Sequence, residues 1–325
     1  MGRSGVEMAG CSVKIGVLFP GQGSQAVGMG VDVAAHSPEA RDLFERATRV
    51  LGYDLLALQR EGPDEKLRET QYSQPAIFTT NVALCAASGS DFKPVVSAGH
   101  SFGEFCSLVV ARSLEFEDAL RIVDERGKAM QEAADRARGG MTAVLGLEAA
   151  RVREIVEQSR ATSGGRVQLA NFNSPTQIVI SGDLDAVTAA SEAMLAGGAK
   201  RVVPLNVSGA WHSALMHPAV ERFSAAVEAG AFQVPQFDVV SNVDAEVYRD
   251  VATIKRNLVR SIVQEVRWHD TAERVVSYGL DLVVEFGASG VLGPLMRRMS
   301  GAPKTMVVSD FAGVEKLRDA IGTKV

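Results

Sequence analysis

The chain has 325 residues, 46% hydrophobic and 22% charged, enough for a sizeable core in one large domain or one large and one small. With 34 basic and 39 acidic side chains the formal charge is −5, which argues against nucleic acid as the main partner, because phosphate contacts need a basic surface. Cys11, Cys85 and Cys106 match neither a disulfide framework nor a zinc site, and no apolar run nears the roughly 18 residues of a membrane span, so a reducing cytoplasm is the expected location.

Residues 1–12 lack the apolar centre of a signal peptide and read as a loose tail, with Met8 an alternative beginning. A strand over 14–19 stops at Pro20-Gly-Gln-Gly-Ser-Gln25, a turn made of strand breakers. Ala40, Leu43, Phe44, Ala47 and Val50 recur at helical spacing, which predicts a helix over 38–59. A second helix is predicted over 72–87, with Pro75 tolerated near its start. A short buried strand at 95–98 runs into Gly99-His-Ser-Phe-Gly103; a helix follows from Glu104 and an amphipathic one over 118–137.

The pattern then changes. Strand 141–146, helix 148–159, strands 166–172 and 176–181, helix 184–195 and strand 200–205 spell βαββαβ, the ferredoxin-like order. Mixed segments return afterwards: strands at 238–241, 282–286 and 305–309 and a helix around 252–264. This α/β alternation predicts a parallel sheet covered by helices, formed by 13–137 and 207–325, interrupted by an insert at 138–206.

Gly99-His100-Ser101-Phe102-Gly103 is a G-x-S-x-G between a strand and a helix. Glycines relieve the crowding of so tight a turn, which lifts the Ser101 hydroxyl into the open. The next N–H, from Phe102, falls near a helix start, where a developing oxyanion is stabilised. Ser101 is therefore the candidate nucleophile, and it needs a base. Of five histidines, His36 sits in a polar turn and reads as solvated. His100 is too close along the chain to serve as base and reads as a support for the turn. His212, at a glycine-containing junction just after the insert, stands against His217 and His269 as the base. Arg126, on the face Asp124-Glu-Arg-Gly-Lys128, reads from its neighbours alone as one more solvated charge.

Taken together, Pro20-Gly-Gln-Gly-Ser-Gln25, Gly99-His-Ser-Phe-Gly-Glu104, Arg126-Gly127, Ala170–Gly182, Gly209-Ala-Trp-His-Ser213 and Ser241-Asn-Val-Asp244 resemble the malonyl-CoA:acyl-carrier-protein transacylases over about 14–310. That family includes the fatty-acid enzyme and the stand-alone acyltransferases of polyketide synthases. The resemblance implies an α/β-hydrolase-like large subdomain with a ferredoxin-like insert. It implies Ser101 as nucleophile, His212 as its base, and the N–H groups of Gln22 and Phe102 as oxyanion hole. It also implies a backbone carbonyl at Ser261 that orients His212, where relatives commonly carry Gln. Arg126 becomes a clamp for a free carboxylate on the acyl group.

What else the resemblance implies is transfer from a coenzyme A thioester to the phosphopantetheine thiol of an acyl-carrier protein by a ping-pong route, in a monomer without a permanent cofactor or metal. Trp211 stands where malonyl-selective relatives carry Phe and methylmalonyl-selective ones Ser, and is expected to exclude a branched acyl group. Phe102 replaces a smaller or polar residue, and Gly287-Ala-Ser-Gly290 departs from the usual Gly-Pro-Gly. Arg297, Arg298 and Lys304 are candidate contacts for an acidic carrier protein. Another carboxylated extender unit is an alternative cargo. Two other readings stand further off. A serine esterase would need an acid in the order Ser…Asp…His, yet Asp183 and Asp185 fall in the insert. A dinucleotide site at Gly21-Gln-Gly-Ser-Gln-Ala26 lacks its acid about 20 residues on.

Overall fold

The computed structural model describes residues 13–322; the tail expected at 1–12 lies outside the described residues. In chain order the strands are β1 Ile15–Phe19, β2 Pro94–Gly99, β3 Gly139–Leu145, β4 Val167–Ser174, β5 Gln177–Asp183, β6 Arg201–Pro204, β7 Asp238–Val240, β8 Leu282–Phe286 and β9 Lys304–Val308. They form two sheets.

The first has the order β7-β2-β1-β8-β9, with every pairing parallel. Its central strand, Ile-Gly-Val-Leu-Phe, is buried along its whole length, as a strand covered on both faces must be. Alternate residues feed two cores. Ile15, Val17 and Phe19 join Val284 and Phe286 on one side. Leu18 joins Val96, Val240 and the fully buried Trp268 on the other.

The second sheet has the order β4-β5-β3-β6, antiparallel throughout. It packs Val144, Ile178 and Ile180 against helices Ala149–Ser163 and Leu184–Ala196 as a core of its own. This is the ferredoxin-like arrangement. Its edge strand is stitched to the main body by backbone bonds at one residue: Val266 N–H donates to Ala170 (2.8 Å), and Phe172 N–H donates to Val266 (2.9 Å).

Three predicted helices are corrected. The segment 38–59 is two helices, Pro38–Leu51 and Leu55–Glu61. Gly52, left-handed at φ +78°, ends the first, and Asp54 caps the second by accepting the Ala57 N–H at 2.8 Å. Pro75 lies well inside helix Thr70–Ala87, where it removes a helical donor. The helix expected to reach 264 runs Val251–Arg260, and its early end leaves the Ser261 carbonyl free to turn toward a neighbour. The sequence reading did not anticipate helices His217–Ala229, Trp268–Val276 and Phe311–Ala320.

Candidate active site

β2 ends at Gly99 and helix Gly103–Val110 begins four residues later. A Cβ on Gly99 would lie 2.0 Å from the Gly103 carbonyl group, and one on Gly103 would lie 2.4 Å from the Phe19 oxygen. No side chain fits at either place. Between them Ser101 takes φ +54°, a left-handed conformation that costs a non-glycine residue about 1–2 kcal/mol. The strain aims its hydroxyl into the cleft.

The structure brings that hydroxyl to His212 rather than to His217 or His269. Ser101 Oγ lies 2.9 Å from His212 Nε2, and His212 Nδ1 lies 2.6 Å from the Ser261 carbonyl oxygen. A carbonyl only accepts, so Nδ1 carries the hydrogen and Nε2 presents its lone pair to the serine. His212 is also strained, at φ +56°. Gln168 on β4 holds that backbone: its Nε2 donates to the carbonyls of His212 (3.1 Å) and Val263 (3.0 Å), and its Oε1 accepts the Ala214 N–H (3.1 Å). Burial, then the charge of Arg126, push His212 down to about 3, so the ring is neutral.

Arg126 is not the solvated charge its neighbours suggested. It is 1% exposed on helix Phe116–Asp135, whereas Lys128 beside it pairs outward with Asp124 at 2.6 Å. Its Nη1 donates to Gln74 Oε1 (2.9 Å) and its Nη2 to Ser101 Oγ (3.2 Å), and Nε has no partner among the described residues. Burial pulls Arg126 down to about 9, which leaves it a cation at neutral pH; Glu104 opposes the shift. The site thus holds a buried positive charge with no hydrogen-bonded anion among the described residues.

A cavity of about 90 Å³ opens here, lined by Gln22, Ser101, Arg126, Met130, Trp211 and His212 among others. The N–H groups of Gln22 and Phe102 have no acceptor among the described residues. The Phe102 ring is buried in the core and does not line the cavity, so what it can offer the site is its backbone. Trp211 is 5% exposed at the cavity wall.

The other histidines stand apart from the serine. His100 is half-buried, with Nε2 3.1 Å from Asn173 Oδ1 and its ring 5.5 Å from Trp268, a support for the turn. Burial pushes it down to about 4. His36 is exposed, His217 opens helix His217–Ala229, and His269 packs on Phe172. The segment Gly21–Ala26 does not open a helix; the next one begins at Val31, which removes the setting a dinucleotide turn needs. Among the described residues no carboxylate meets His212 Nδ1, as a hydrolase triad would require. Among the described residues no cluster of His, Cys, Asp or Glu could hold a metal, and no helix is long and apolar enough to cross a membrane.

Sequence reasoning missed Gln74, Gln168, Glu104 and Asn242. A polar residue inside the apolar run of β4 was the available signal for Gln168, and the last two sat unassigned inside recognised motifs.

An acyl transferase domain matches residues 17–298. The chain belongs to that family. It is 42% identical over 284 residues to the malonyl CoA-acyl carrier protein transacylase of Salmonella typhimurium, covering 87% of this chain and 91% of that one. It is 39% identical to the Bacillus subtilis protein of the same name, covering 93% and 95%. Among solved structures, a malonyl-transacylase in complex with a type II PKS acyl-carrier protein superposes with a TM-score of 0.90 at 38% identity, covering 94% of this chain and 99% of that one. The family member described here is therefore an acyltransferase with the parallel and antiparallel sheets of those relatives.

Proposed function

We propose that the protein moves a malonyl group from coenzyme A to the phosphopantetheine thiol of an acyl-carrier protein, through an ester on Ser101, in fatty-acid or polyketide synthesis. The carrying observation is Arg126, a buried cation whose Nη2 donates to the nucleophile itself at 3.2 Å. With Nη1 held by Gln74, the Nε and Nη2 edge is the side of the guanidinium left for a planar anion. An acyl group with a free carboxylate would take both donors and put its thioester carbonyl next to Ser101.

His212 takes the Ser101 proton as Oγ attacks the carbonyl carbon. The Gln22 and Phe102 N–H groups receive the oxyanion. The tetrahedral intermediate collapses, the C–S bond breaks, and the proton passes from His212 to the departing coenzyme A sulfur. In the second half the carrier thiol gives its proton to His212 and attacks the ester, and Ser101 regains the proton as it leaves. The carboxylate also offsets the charge of Arg126, one of the causes that hold His212 low, so the base strengthens once the substrate is seated.

Trp211 fills the cavity wall beside the acyl chain and disfavours a branch. The insert 138–206 forms the opposite wall of the cleft as a unit. The enzyme works as a monomer in the cytoplasm, and Arg297, Arg298 and Lys304 offer positive charge to an acidic carrier. Mass spectrometry of the protein after incubation with a panel of acyl-CoAs tests the reading. A malonyl ester on Ser101 is expected. Ester from acetyl-CoA at the same rate, or none from any carboxylated acyl-CoA, would overturn it.

A further inference from the structure

Glu104 and Asn242 belong to two motifs that the proposed reaction leaves without a role, yet they meet directly beneath the nucleophile. Asn242 lies between β7 and helix Val251–Arg260 and is fully buried. Its Oδ1 accepts the Ser101 N–H at 2.9 Å, and its Nδ2 donates to the Gly99 carbonyl at 2.5 Å. One amide therefore spans the strained turn, gripping it on both sides of His100. Only one orientation serves: a flipped amide would set a donor against the Ser101 donor and an acceptor against the Gly99 acceptor.

Glu104 selects that orientation. Its Oε2 accepts from Asn242 Nδ2 at 2.8 Å and from the Asn242 N–H at 3.3 Å, and its Oε1 accepts from the Tyr248 hydroxyl. All three groups are donors, so the form that satisfies each of them is the carboxylate. Burial pushes Glu104 up to about 7 against those bonds. Its position in the first turn of helix Gly103–Val110 and the buried charge of Arg126 both favour the anion.

We infer that Glu104 is a positioning residue that fixes the Asn242 amide and thereby holds Ser101 in its strained, reactive conformation. It touches neither Oγ nor the base; it acts through Asn242. The inference rests on Ser101 being the nucleophile and is independent of which acyl group is carried. Misplacing a reacting atom by about 1 Å costs on the order of 100-fold, which sets the scale of the effect.

The test measures the rate of Ser101 acylation by malonyl-CoA in rapid-quench experiments and, separately, inactivation by a serine-directed fluorophosphonate, in the full-length protein. Glu104→Ala is expected to lower the limiting acylation rate about 10- to 100-fold with KM within about twofold of the native value. Glu104→Gln, which keeps an acceptor for Asn242, should restore most of the rate. In an Asn242→Ala background, Glu104→Ala should cost nothing further. Native rates in Glu104→Ala, or losses from the two alanine variants that multiply, would overturn the inference. If Glu104→Ala does not fold, Asn242→Asp decides. It keeps an acceptor for Ser101 but sets a carboxylate against Glu104, so a native rate there would overturn the inference too. Failure of malonyl-CoA to label the native enzyme would sink the proposed reaction instead, and the fluorophosphonate rates would still judge the clamp.

Discussion

Ser101 and His212 stand 111 positions apart in sequence, both hold left-handed backbone, at φ +54° and +56°, and their side chains meet at 2.9 Å. Neither conformation is one its residue prefers, and each is maintained by other groups: the Gly99–Gly103 turn and Asn242 for the serine, Gln168 for the histidine. Strain at a reactive pair is thus held by the surrounding body.

Strain gives the first prediction. Ser101→Ala removes the hydroxyl but keeps the penalty, whereas Ser101→Gly removes both. Neither variant should carry covalent label after exposure to malonyl-CoA. Ser101→Gly should be the more stable of the two, by up to about 1 kcal/mol in denaturant unfolding. Retained label on either protein refutes the nucleophile; equal stabilities refute the strain.

His212 links the site to acid stability. Its unfolded value is near 6.5 and its folded value about 3, so below pH 6.5 the unfolded chain binds a proton that the native ring does not. That contribution is complete above 6.5 and is lost as pH falls toward 3, at about 1.4 kcal/mol per pH unit. His100, at about 4, acts in the same sense; Glu104, raised to about 7, partly opposes them between 4.5 and 7. His212→Gln should therefore gain about 2 kcal/mol on the native protein between pH 6.5 and 5. Unfolding curves at the two pH values check this, and parallel pH profiles would contradict it.

Arg126 should trade activity against stability. Arg126→Met removes a buried cation that lacks a hydrogen-bonded anion, so it should leave stability unchanged or raise it by up to about 2 kcal/mol. Malonyl transfer should fall at least 100-fold while the rate with acetyl-CoA changes little. Unfolding midpoints and paired acyl-CoA rates measure both halves. An equal loss with both substrates would mean that Arg126 does not read the carboxylate.

Trp211 sets the expected limit on branching. A hydrophobic wall separates substrates that differ by one methyl by about 1–3 kcal/mol. Native enzyme should prefer malonyl- to methylmalonyl-CoA by roughly 10- to 200-fold, and Trp211→Ser should bring the ratio toward one. Equal rates in the native enzyme would sink the role given to Trp211.

The two sheets were legible because their signals are local: apolar runs for β1 and β8, and turn residues around Ser101. Arg126 was misjudged from its neighbours, because a helix face that mixes Asp124, Glu125 and Lys128 with buried positions looks solvated until the packing is known. The Ser261 carbonyl depends on a helix stopping at Arg260, and periodicity carried the prediction past that point. Gln168 reaches His212 across 44 positions and Asn242 reaches Ser101 across 141, distances at which no local pattern carries information.

The seam at Val266 has a mechanical consequence. His212 is held at its backbone by Gln168 from the antiparallel sheet and at its ring by Ser261 from the parallel body, while Val266 ties the same strand to that body. Rocking of one sheet against the other would strain this short span. The gap between a proton donor and its acceptor is therefore a gauge of how the two halves are aligned, and a ligand bridging both would turn the gauge without touching either atom.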